Sequence, residues 1–260
     1  MNKTLRMLAL VSFVSVALLA STSYAAGTTG RSGFRMLDSH DLISAPVKDS
    51  HGELLGIVNE VMVDSGGRAF LVINHGDYDI YGENGVNTPV PFQEIRIDRT
   101  KGGQETVVLR TDMEHLDFAP YLNPLKMNSR QYEASIYEFY GIQPYWTRSD
   151  ASGRGKFMEL NSSDLVGAAV ENSCGKVIGI VNEVMVDSGG HAFAVINHGD
   201  YDLYGDGGVN TPVPFQELRI SQTKGGQDII FLKTDLEHLD FAPYLNPLKM
   251  NSRQYEANIY

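Results

Sequence analysis

The chain has 260 residues and a formal net charge of −11, with 32 acids against 21 lysines and arginines. Such an acidic surface repels phosphate backbones, which argues against nucleic-acid binding and leaves a cationic partner or bound cations open. The one cysteine, Cys174, rules out an internal disulfide. It sits in the turn Asn172-Ser173-Cys174-Gly175, where it could pair between chains in an oxidising compartment; an incidental thiol is the favoured reading, and a homo-oligomer is left open.

The N-terminus reads as a secretory signal. Lys3 and Arg6 precede the apolar run Met7 to Ala20, which is short for a membrane span. Ser23-Tyr24-Ala25 then offers small residues where a signal peptidase reads, so residues 1–25 are expected to be removed and the protein to be periplasmic. Removal takes two positive charges from −11 and leaves −13. No cysteine follows the run, which speaks against a lipid anchor, and no later segment is apolar enough to span a bilayer.

The rest of the chain is written twice. Asp41 to Tyr137 aligns without a gap onto Asp164 to Tyr260, and Ile57 to Gly67 is identical to Ile180 to Gly190. A repeat of this length is a duplicated folding unit, able to bury its own core and too long for a solenoid repeat. The expected domains are 36–146, a linker at 147–160, and 161–260. Two such domains are expected to share one strand order.

Within the first copy, 27–33 reads as a flexible lead-in and the pattern turns to β from Leu42. Leu54 to Val63 is a strand whose alternation breaks at Asn59 and Glu60, which predicts a bulge or twist. Asp64-Ser65-Gly66-Gly67 turns into a strand from Ala69 to Asn74. Glu94 to Ile97 alternates, and Lys101-Gly102-Gly103-Gln104 leads into Thr106 to Arg110. Ile57, Val61, Val72, Ile73, Ile95, Ile97 and Val107 are the expected core, with Ile180, Val184, Val195, Ile196, Leu218, Ile220 and Ile230 in the second copy. Several short strands at close spacing predict a small barrel or sandwich. Leu116 to Pro124 is expected to be irregular. Asn128, with Gln131, is the expected cap of a helix carrying Tyr132, Ile136 and Tyr140 on one face. Gly141 and Pro144 end it.

Three sets of side chains could carry function. The loop from His75 to Gly85 holds Asp77, Asp79 and Glu83, and its repeat holds Asp200, Asp202 and Asp206. These are hard oxygen ligands, but the acid needed at the twelfth position of a calcium loop is Thr88 or Thr211, so a solvated hairpin is favoured and no cofactor is expected. His75 and His198 lack a Ser, Cys or second His nearby in sequence and read as structural or surface histidines, and His115 and His238 as capping or packing groups. No catalytic residue is assigned. Tyr137, Phe139, Tyr140, Tyr145 and Trp146 form an aromatic segment that either docks a partner or fills the groove between domains; the second is favoured.

The run Asp41 to Gly56, the acidic turn Val63 to Gly67, Thr88-Pro89-Val90-Pro91-Phe92 and Leu116-Asp117-Phe118-Ala119-Pro120 resemble, in order and spacing, the PRC-barrel family. The second copy repeats them from Leu165 to Pro243. Ser44 departs from the family's usual glycine, which Gly167 restores. The resemblance implies a mainly β protein of two six-stranded β-barrels in tandem, each followed by a short C-terminal helix. It also implies binding modules rather than catalysts. The expectation is therefore a non-enzymatic adaptor with an unknown protein partner in the cell envelope. The alternatives are a small-ligand or cation-binding protein using the acidic hairpins, and a hydrolase with an unrecognised site.

Overall fold

The computed structural model describes residues 36–64, 66–76, 85–100, 102–123, 126, 129–144, 160–199, 208–222, 228–233 and the single positions 239, 242, 243, 245 and 259. The first half runs β1 (Met36–Asp38), α1 (Ser39–Leu42), β2 (Pro46–Lys48), β3 (Leu54–Val63), β4 (Ala69–His75), β5 (Val86–Pro91), a 3-10 turn (Phe92–Glu94), β6 (Ile95–Arg99), β7 (Glu105–Leu109), α2 (Met113–Phe118) and α3 (Arg130–Phe139). The second repeats it with β8 (Leu160–Asn161), α4 (Ser162–Leu165), β9 (Ala169–Glu171), β10 (Val177–Asp187), β11 (Ala192–His198), β12 (Val209–Pro214), a 3-10 turn (Phe215–Glu217), β13 (Leu218–Gln222) and β14 (Asp228–Leu232). The fold is mainly β.

Both halves have the same strand order, β5-β4-β3-β2-β7-β6 and β12-β11-β10-β9-β14-β13. The β2–β7 and β9–β14 pairs are parallel and the other pairs antiparallel. Each path curls round one apolar cluster: Leu42, Val47, Val61, Leu71, Val90 and Val107 in the first, and Leu165, Val170, Val184, Ala194, Val213 and Ile230 in the second.

Each sheet also has a seventh strand, and it comes from the other half. β1 pairs with β10, and β8 pairs with β3. Leu37 of β1 lies opposite Val186 of β10, and both side chains enter the first core. Leu160 of β8 lies opposite Val63 of β3, and both enter the second core. Each core is thus capped by one residue from its own leading strand and one from the other half. The domain limits read from sequence cut through this exchange.

The bulge expected at Asn59 is present, since the register of β3 against β4 slips between Val58 and Glu60. A second slip occurs at Leu55, against β2. Together they put Leu55, Val58 and Val61 inside, three residues apart, and turn Ile57 outward, 40% exposed. The second half repeats this with Ile178, Val181 and Val184 inside and Ile180 exposed. Ile57 and Ile180 are therefore not core residues, and Ile97 and Ile220 are only partly buried. Val72 and Val195 are buried, but away from the central clusters. Val72 packs with Met62 and Phe70 under Tyr132, Ile136 and Tyr137 of α3.

Three local expectations change. Residues 113–118 form α2, capped by Asp112, whose carboxylate accepts from the His115 N–H at 2.9 Å. The cap of α3 is Ser129, whose hydroxyl accepts from the Tyr132 N–H at 3.2 Å, one residue later than Asn128. Tyr140 is the C-cap of that helix, followed by Gly141 at φ 66°. Residues 1–25, most of the linker and nearly all of the second half's C-terminal stretch lie outside the described residues. No helix among the described residues is long and apolar enough to cross a membrane.

Ser44 adopts φ 67° where Gly167 has φ 85°, in the same turn: each backbone N–H donates across it at 2.8 Å, to the carbonyl of Val58 or Val181. The left-handed region penalises a side chain, whereas glycine costs some chain entropy. Ser44→Gly is expected to raise stability by about 0.5–1 kcal/mol in urea unfolding. A loss of stability would show that the Ser44 side chain has a compensating role.

Candidate functional site

Two places bring functional groups together, the seam between the halves and the rim of the first sheet. At the seam the hairpin tips meet. The Ala69 N–H donates to the Gly190 carbonyl at 2.9 Å, and the Ala192 N–H to the Gly67 carbonyl at 2.8 Å. Arg68 and His191 form an antiparallel bridge between them. Gly67 and Gly190 have φ of 75° and 82°, and a Cβ on Gly190 would lie 2.7 Å from the Phe92 Cβ of the other half. Here glycine is required by conformation and by space. The Gln216 side-chain amide donates to the Gly66 carbonyl at 2.9 Å.

The tips differ in charge. Asp64 and Asp187 each cap their own turn, accepting from Gly66 and Arg68 N–H at 2.8 Å, or from Gly189 and His191 N–H at 2.7 and 2.9 Å. Asp64 is fully buried beside the buried Glu133 of α3 and accepts from the Tyr137 hydroxyl at 3.1 Å. Burial dominates and holds the Asp64 carboxyl above its ordinary range, against the opposing effects of the Glu133 side chain and of hydrogen bonds from Tyr137 and the backbone. Burial and the neighbouring Asp64 and Glu133 push the Tyr137 phenol upward. At Asp187 burial also opposes the charge, but the His191 ring at 2.9 Å and the backbone N–H groups outweigh it, and the carboxyl lies below its ordinary value. Carboxyls also line the exchanged strands. The Asn161 side chain donates to Glu60 at 2.5 Å, while at the equivalent place Glu183 meets Asp38. Burial first, then Asp38 and Asp41, raise the Glu183 carboxyl. Glu60 is likewise raised by burial and by Asp164.

At the rim, β4 and β5 carry His75 opposite Val86, next to the Ile73–Thr88 pair. His75 Nε2 lies 2.9 Å from Thr88 Oγ1, and its Nδ1 lies 3.3 Å from Asp117 Oδ1 on α2. Burial lowers the His75 pKa, with Asp117 opposing. The order hydroxyl, imidazole, carboxylate resembles a nucleophile relay. Yet His75 and Thr88 are each 1% exposed, so the hydroxyl has no access to a substrate. The arrangement ties α2 to the sheet, so of the two sequence readings, structural or surface, His75 takes the buried one. His198 and Thr211 repeat the contact at 2.9 Å. One residue down, the Asn74 side chain donates to Asn87 at 2.9 Å, and the Leu122 N–H donates to the Asn87 carbonyl. Phe118 and Tyr121 stand above this rim, 75% and 59% exposed.

The six acids Asp77, Asp79, Glu83, Asp200, Asp202 and Asp206 lie outside the described residues, as do Tyr145 and Trp146. Among the described residues no group of three His, Cys, Asp or Glu is placed to hold a metal. Tyr137 is buried, with its ring edge-on to Phe70 at 5.5 Å. Phe139 and Tyr140 stack on His115, with centroids 4.5 and 6.0 Å away. These contacts of Tyr137, Phe139 and Tyr140 are all with the first half, and the described links between the halves are strands and turns. Sequence reasoning missed Glu133 and the exchanged strands. The strands are two or three residues long and carry no alternation; Glu133 sits one residue after an aromatic on a helix, where a carboxylate ordinarily faces water.

Residues 158–239 match the family model of the PRC-barrel domain. The match covers the second half from just before β8 through β14. No curated protein matches the chain.

Proposed function

We propose that this is an exported, non-enzymatic binding protein, an adaptor of the cell envelope built from two PRC-barrel-like domains, the first half being a second copy of the unit that the family model matches. The observation that carries this reading is the reciprocal exchange of β1 and β8. It fixes two nearly identical surfaces in one arrangement, which suits a protein that holds partners rather than one that transforms substrates. The sealed Thr88–His75 pair supports the same reading, since a hydrolase would expose its nucleophile. Each sheet would form a small barrel, closed by side chains of the 3-10 turns at Phe92 and Phe215. Affinity capture from a periplasmic extract with the mature chain tests the proposal. A discrete protein retained in stoichiometric amount is expected. No retained protein, together with ester hydrolysis abolished by His75→Ala, would replace the adaptor with an enzyme.

A further inference from the structure

We propose that the rim formed by α2 and the residues just after it is a docking surface for a cationic peptide segment bearing apolar side chains, contributed by a partner protein. This rests on the binding reading above and adds the surface and the partner's chemistry.

The aromatics carry the argument. Phe118 and Tyr121 expose most of their area, beside Val86 at 47%. Packing does not explain them: α2 is already anchored by the buried Leu116 and by the Asp117–His75 contact. Large rigid side chains in this state are what binding hot spots are made of. The charge around them sets the occupant. Asp112, Glu114 and Asp117 are exposed on the same short element. Its one basic side chain, His115, is stacked on Phe139. A ligand that covers this rim must bring apolar groups for the rings and positive charge for the carboxylates. An anionic membrane surface fails the second requirement, as the net charge of −11 also indicates.

The duplication adds an independent observation. The halves have diverged at most positions of 43–55 and 105–108, and in the polar groove of the first half at Lys48, Asp98 and Arg99, where the second half has Glu171, Ser221 and Gln222. Over 111–137 against 234–260 they differ only at Met113/Leu236 and Ser135/Asn258. Burial accounts for the identity of Leu116, Tyr132, Ile136 and Tyr137. It does not account for Glu114, Phe118 and Tyr121, which are exposed in the first half and repeated in the sequence as Glu237, Phe241 and Tyr244, whereas Asp117 is kept by its contact with His75. Side chains exposed in the first half and kept in the second, while another face changed, mark a surface with a task.

The test is a fluorescence-anisotropy titration of the mature chain with labelled peptides of equal length, alternating Lys–Leu, Lys–Ser and Glu–Leu. Lys–Leu should bind, Lys–Ser at least tenfold more weakly, and Glu–Leu not at all. The variant with Phe118, Tyr121, Phe241 and Tyr244 all changed to Ser should lose tenfold or more in affinity for Lys–Leu. That variant carries no charge change, so attraction to the acidic surface alone would survive it. Glu114→Gln with Glu237→Gln should weaken binding a few-fold and flatten its salt dependence; Glu114 is exposed, so this variant keeps the test valid if the aromatic variant fails to fold. Equal affinity for Lys–Leu and Lys–Ser, or unchanged binding by both variants, would overturn the proposal. So would saturable binding of chitohexaose at the rings in place of the peptide. Capture from periplasmic extract separates this from the broader reading: a partner retained equally by wild type and aromatic variant ends the rim proposal alone, whereas no partner for wild type ends the adaptor reading.

Discussion

Replacing Gly190 with valine is expected to destabilise the chain by about 2–5 kcal/mol, more than the same change at Gly52. Both glycines have positive φ, 82° and 89°, so both substitutions carry the conformational penalty of a β-branched residue, about 1–2 kcal/mol. Around Gly52 there is open space, whereas a Cβ at Gly190 meets Phe92 of the other half at 2.7 Å. The excess at Gly190 therefore measures the seam. Gly190 also supplies the carbonyl that accepts from Ala69, so relief of the clash by backbone movement would break a hydrogen bond between the halves. Equal destabilisation of the two variants in urea would mean that the tips are not in contact.

The second large effect is on pH. Asp64 and Glu133 are carboxyls buried side by side, and two such groups cannot both ionise without cost, so the pair favours holding a proton. Because the folded pKa of Asp64 is raised above its unfolded value, the folded state binds more protons between the two. Its stabilisation is fully present below the ordinary carboxylate range and is lost as pH rises through the folded value. Asp187 behaves oppositely: its lowered pKa gives stability above the ordinary range that is lost as pH falls. Glu133→Gln offers Asp64 an amide donor that needs no proton. The variant is expected to be more stable than wild type at pH 8–9, by about 1–3 kcal/mol, and to lose this advantage near pH 4. Thermal melts across pH 4–9 check the sign. A variant less stable than wild type at every pH would show that the Glu133 charge is needed, for instance by Arg68 or Arg130.

The duplication, the hairpins at Asp64 and Lys101, and the bulge at Asn59 were legible because each depends on a few adjacent residues. Long repeated runs fix a common fold, Gly-Gly and Asp set turns, and a polar pair inside an apolar strand breaks its alternation. What failed depended on partners distant in sequence. Ile57 looks like a core residue until the second slip at Leu55, set by the pairing with β2, turns it outward. Met36 to Asp38 gives no strand signal of its own, because its partner strand lies some 150 residues away, at Met185 to Asp187. Leu116 to Pro124 reads as irregular because of Pro120 and Pro124, yet the Asp112 cap is enough for one and a half turns that reach Phe118. At the rim, the sequence left His75 as either structural or surface and gave no sign of Asp117 as its neighbour or of the exposure of Phe118 and Tyr121, which are properties of the packed surface.

The halves form one interlocked unit, each core capped by Leu37 with Val186 or by Leu160 with Val63. Differential scanning calorimetry of the mature chain tests it most directly. Two nearly identical halves would melt at nearly the same temperature even if independent, so the transition count alone does not decide. The ratio of calorimetric to van't Hoff enthalpy does, because it counts cooperative units. A ratio close to one, with a single transition, is the predicted result; a ratio close to two would mean that each half unfolds by itself and that the exchanged strands do not join them.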